Sequence, residues 1–95
     1  MKRIFKYKVE MTDVQSIELP EGAEILQVGE GIPSVIGQPG CLVFWAIVDT
    51  DAPLELRHFC VYGTGHAVAS RVGKSNHIGT ATCGPYVWHV FEVDL

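Results

Sequence analysis

The run Cys41-Leu-Val-Phe-Trp-Ala-Ile-Val48 constrains the fold more than any other part of the chain. It is continuously apolar and rich in β-branched and aromatic residues, too short for an ordinary helix, and bracketed by turn residues, so it reads as a strand covered on both faces. Asp49-Thr-Asp-Ala-Pro53 follows with the Asp and Pro that suit a tight turn, and a second run, Leu54–Tyr62, begins at once. The two runs are expected to pair as a long β-hairpin that the chain leaves at Gly63-Thr-Gly-His66.

The flanking segments carry the same period. A first strand is predicted over Arg3–Met11, with Phe5, Tyr7, Val9 and Met11 inward and Lys2, Lys6 and Lys8 on the other face. Those lysines fit a solvated edge that resists aggregation, with an anion-binding surface as the alternative. Ser16–Leu19 reads as a short strand closed by Pro20-Glu-Gly22, and Ala23–Val28 as a third, imperfectly alternating one. The segment from Gly29 to Gly40, with four glycines and two prolines, reads as a long loop. Its Ile32, Val35 and Ile36 either fold back onto the body or form a protein interface. Ala67–Val72 is expected to give at most one helical turn, and a final hairpin should pair His77–Thr82 with Tyr86–Val93 across Cys83-Gly-Pro85.

Six to seven short strands without a long helix imply an all-β chain: a small antiparallel β-sandwich or barrel, forming a single β domain over residues 1–95. Phe44, Trp45, Phe59, Tyr62, Trp88 and Phe91 are the expected core aromatics, each contributing about 1.5–3 kcal/mol on burial. Hydrophobic residues make up 47% of the chain and charged ones 19%, a balance that excludes disorder. The opening Met1-Lys-Arg-Ile-Phe-Lys lacks the apolar stretch of a signal peptide and no window is long enough to span a bilayer, so a cytoplasmic protein is expected. Three widely spaced cysteines suit reduced thiols, and a net charge of −4 disfavours nucleic acid as a partner.

Chemistry is weakly signalled. His58, Cys60 and His89 are a conceivable metal cluster, but no C-x-x-C or H-E-x-x-H spacing supports it, and no cofactor motif occurs. Cys60, Cys83, His66 and His89 supply the residue types of a thiol/His-dependent hydrolase without its elbow motif. A ligand-binding site is the better candidate: Tyr62, Gly63, Thr64, Gly65 and His66 offer close backbone approach and donors, and Arg71 and Lys74 follow within reach to meet a small anionic ligand. Gly73-Lys-Ser75 matches the end of a P-loop, but Val68 stands where its first glycine is needed.

Met1–Tyr7, Ile17–Leu26, Trp45-Ala46 with Val48-Asp49, Asp51-Ala-Pro53, Tyr62–His66, Ile78-Gly-Thr80 and Val87-Trp-His89 together resemble a family of small uncharacterised proteins encoded by bacteriophages and prophages. The resemblance covers most of the chain and departs from the family at Gly29–Gly40, which is longer here. It brings no catalytic pattern with it. What it implies is a non-enzymatic binding protein, self-associating, that acts in counter-defence on a host protein or a small host signal ligand; a minor structural component of the virion is the alternative.

Overall fold

The computed structural model describes residues 1–31 and 41–94, and these are nearly all β. Strands β1 (Lys2–Val9), β4 (Cys41–Asp49) and β3 (Glu24–Gly31) form one antiparallel sheet in the order β1-β4-β3. Strands β2 (Gln15–Pro20), β5 (Leu54–Gly63), β7 (Tyr86–Val93) and β6 (His77–Cys83) form the other in the order β2-β5-β7-β6. The fold is therefore the sandwich form of the expected all-β architecture.

The hairpin expected over Cys41–His66 does not form. β4 pairs with β1 and β3, and β5 pairs with β2 and β7, so the link between them passes from one sheet to the other. Thr50 N donates to Met1 O at 2.9 Å and Glu21 N donates to Pro53 O at 2.8 Å, fastening the two ends of that link to different neighbours. The physical reason is that both hydrogen-bonding edges of β4 are taken, by β1 and β3, so no edge is left for β5 to pair with. The expected final hairpin does form, with Cys83 opposite Tyr86 across the two-residue turn Gly84-Pro85.

Alternation along β4 sends Leu42, Phe44, Ala46 and Val48 between the sheets, all essentially inaccessible, against Leu19, Phe59, Val61 and Val90 of the opposing sheet. Phe44 and Phe59 meet there with ring centroids 5.3 Å apart, and Tyr7 stacks on Phe44 at 5.2 Å. The other expected core aromatics are only half-buried. Trp45 lies on the far face of β4, covering Gly29, while Tyr62 and Phe91 pair at 5.8 Å on the outer face of the four-stranded sheet. β1 ends at Val9 rather than Met11; Met11 falls in the bend beyond it, and Phe5, on an edge strand, stays exposed.

The imperfect alternation of β3 is a β-bulge between Ile25 and Gln27: Leu26 is the extra, exposed residue, so Ile25 and Val28 both reach the core. β3 runs on through Gly29–Gly31, which the glycine content had assigned to loop. Ile32, Val35 and Ile36 lie outside the described residues. Ala67–Val72 is not helical; Val72 N donates to Ala69 O in a turn, and a short 3-10 turn follows at Lys74–Asn76. Arg57 ties the layers together: Nε and Nη2 donate to Glu92 at 2.6 and 2.8 Å, and Nη1 donates to Ala23 O at 2.6 Å. That carboxylate, more than any other group, raises the Arg57 pKa above its ordinary value. Among the described residues no helix is long and apolar enough to cross a membrane.

Candidate functional site

The β5 exit is built by its sequence. β2 accompanies β5 only as far as Phe59, so past that point the β5 edge has no strand on that side among the described residues. The backbone turns there: His66 N donates to Gly63 O at 3.0 Å, with Gly65 at φ +92°, a conformation that L side chains rarely adopt. The reversal folds His66 back on the strand end, where its Nδ1 accepts the Gly63 N–H at 3.1 Å. A Cβ on Gly63 would stand 2.9–3.2 Å from three atoms of the His66 ring, so the missing side chain is what lets the ring close. Because Nδ1 is an acceptor, the proton of the neutral ring sits on Nε2.

The β6–β7 hairpin supplies the other wall. Gly63 is opposite Trp88 in the β5–β7 ladder, and Thr64 N donates to Val87 O at 3.2 Å, which brings the β5 exit beside the start of β7. Between them opens a cavity of about 300 Å³, lined by Gly63, Thr64 and His66 on one side and by Pro85, Tyr86, Val87 and Trp88 on the other. The Trp88 ring stands edge-on to His66 at 5.9 Å and to Tyr86 at 6.3 Å. Its Nε1 is buried without a hydrogen-bond partner among the described residues. Among the described residues, no Asp, Glu, Lys or Arg lines the cavity.

Thr64 also begins a chain of side-chain hydrogen bonds across the outer face of the sheet. Its Oγ1 lies 2.8 Å from His89 Nε2, His89 Nδ1 lies 3.0 Å from Thr80 Oγ1, and Thr80 Oγ1 lies 2.9 Å from His77 Nε2. Thr80 has one hydrogen to give, so at least one of the two neutral rings must donate to it. The tautomers of His77 and His89 are thereby linked, and with them the direction of the hydrogen bond at Thr64.

Of the residues singled out in the sequence, Gly63, Thr64 and His66 meet at the cavity, and Gly65 shapes the turn that holds them. Tyr62 points to the opposite face, against Phe91, as the alternation of β5 requires. Arg71 and Lys74 are exposed on the following segment and are not among the lining residues. Pro85, Tyr86, Val87 and Trp88 were not singled out as site residues; their signal was the turn Gly84-Pro85, which sets an aromatic pair at a hairpin end. His58 bonds Ser16 Oγ at 2.8 Å, Cys60 is buried, and no group of three His, Cys, Asp or Glu side chains among the described residues is placed to hold a metal ion.

No match to this chain is found among curated proteins or solved structures. A family model does match, over residues 1–95, and by it the chain belongs to the family described as a domain of unknown function, DUF7352.

Proposed function

We propose that this protein is a non-enzymatic, single-domain binding protein that holds a small ligand in the cavity between the β5 exit and the β6–β7 hairpin. The observation that carries this reading is the cavity itself: about 300 Å³, at the lower end of the range for small-molecule sites, mainly apolar in its walls and furnished with a few polar groups. The burial of Cys60 favours binding over thiol catalysis, since a nucleophile has to be reached by its substrate. The resemblance to phage and prophage proteins supports the finer version, a cytoplasmic counter-defence protein that sequesters a host signal ligand stoichiometrically and self-associates. The wider anion site with Arg71 and Lys74 is narrowed to the cavity.

Native mass spectrometry of protein purified from its host cell tests the proposal. A small-molecule adduct on the wild type that is lost in a His66→Ala, Tyr86→Ala variant supports it; a bare protein, or an adduct that the substitutions leave in place, contradicts it.

A further inference from the structure

Taking the cavity to be a binding site, we infer that its ligand class is a flat heteroaromatic ring, with a free pyrimidine or purine base or nucleoside as the type. Size sets the first limit. A cavity of about 300 Å³ suits one ring system with a small substituent.

The walls set the second. Trp88 is flanked by His66 and Tyr86, both edge-on to it, so rings border the space on more than one side. Tyr86 is 65% exposed, an unusual state for so large an apolar surface, and a flat ring laid against it would cover it. Stacking of a base on an aromatic side chain is favourable and tolerant of the base's identity.

The polar atoms set the third. With Nδ1 occupied by the Gly63 N–H, neutral His66 has only Nε2–H to offer, and that donor calls for a ring nitrogen or a carbonyl on the ligand. Thr64 Oγ1 is engaged by His89 on the outer face of the sheet, so the polar recognition rests on His66. Benzene-like rings leave that donor unanswered. Polyphosphates and nucleic acid strands find no cation among the described lining residues and meet a chain of net charge −4, so recognition falls on the base.

The test is a titration of 15N-labelled protein followed by NMR, with uridine, adenosine, ribose 5-phosphate and benzyl alcohol as probes. The Trp88 indole signal is assigned by its absence in Trp88→Phe, and the Trp45 indole, on the other sheet, serves as the internal control. Saturable movement of the Trp88 signal with uridine or adenosine, Trp45 unmoved, is the expected result. His66→Phe, which keeps a flat wall and removes the donor, should weaken that binding about 3–10-fold. Unchanged affinity in His66→Phe would overturn the assigned polar edge. Ribose 5-phosphate or benzyl alcohol binding more tightly than either nucleoside would overturn the ligand class while leaving the cavity a binding site. If no probe moves Trp88 up to about 10 mM, the ligand class fails, while the binding reading still stands or falls on the adduct seen by native mass spectrometry.

Discussion

Gly63→Ala is the most informative single perturbation, because its sign depends on His66. The new Cβ would stand 2.9 Å from the nearest ring atom, against 3.4 Å at the close end of ordinary contact, so the ring has to retreat by about 0.5 Å. The Gly63 N–H to Nδ1 distance, now 3.1 Å, then exceeds that of a hydrogen bond, and its loss costs about 0.5–1.5 kcal/mol, with crowding adding a similar amount. Against this, the φ of Gly63 is not positive, so alanine fits the backbone and narrows the unfolded ensemble, a gain of about 0.4–1 kcal/mol. The net expectation is a destabilisation of about 0.5–2 kcal/mol in the wild type. In a His66→Ala background both penalties disappear and the same substitution should stabilise by about 0.4–1 kcal/mol. Urea unfolding of the four proteins reads the cycle, with opposite displacements of the midpoint in the two backgrounds. Equal displacements would refute the contact between the β5 exit and the folded-back ring.

Three further outcomes follow from the same geometry. Gly79→Ala would bring a Cβ to 2.6 Å from Val28 Cβ and Cγ2, where β6 meets β3, and should cost about 1–3 kcal/mol in thermal unfolding; an unchanged melting temperature would contradict that close approach. Thr80→Val removes the hydroxyl shared by His77 and His89, and long-range 1H–15N spectra should show the nitrogen signals of both rings changing; rings that keep the wild-type pattern would rule out the chain of hydrogen bonds. The Asp51 backbone N–H, and after it the Met1 ammonium, hold the Asp49 carboxyl below its ordinary pKa. Its contribution to stability is therefore present above the ordinary carboxylate range and lost as pH falls through the lowered value, and a carboxyl NMR titration of Asp49 with an ordinary midpoint would refute it.

Local signals carried the strands well. Alternation and turn residues locate β1, β2 and the β6–β7 hairpin to within a few residues, and the apolar run at Cys41–Val48 is a strand as expected, though its partners are β1 and β3 rather than the expected β5. Pairing was less legible, since a short link containing Asp and Pro serves a hairpin and a crossing between sheets equally well, and only the competition for the two sides of β4 decides. The bulge at Leu26 hid the core face of β3, and composition alone does not say which face of β4 Trp45 takes. At the site, the glycines around Thr64 announced the strand exit. The second wall depended on β7 lying beside β5, which no local pattern encodes, and nearness along the chain did not carry Arg71 or Lys74 to the cavity.

The central claim is that the β5 exit folds back against the β6–β7 hairpin to make the cavity. Nuclear Overhauser contacts between the His66 and Trp88 rings test it most directly. With centroids 5.9 Å apart and the rings nearly perpendicular, strong cross-peaks between their protons are predicted, together with contacts from Trp88 to Tyr86. A spectrum in which His66 shows no contact with Trp88 would contradict the cavity and the function proposed for it.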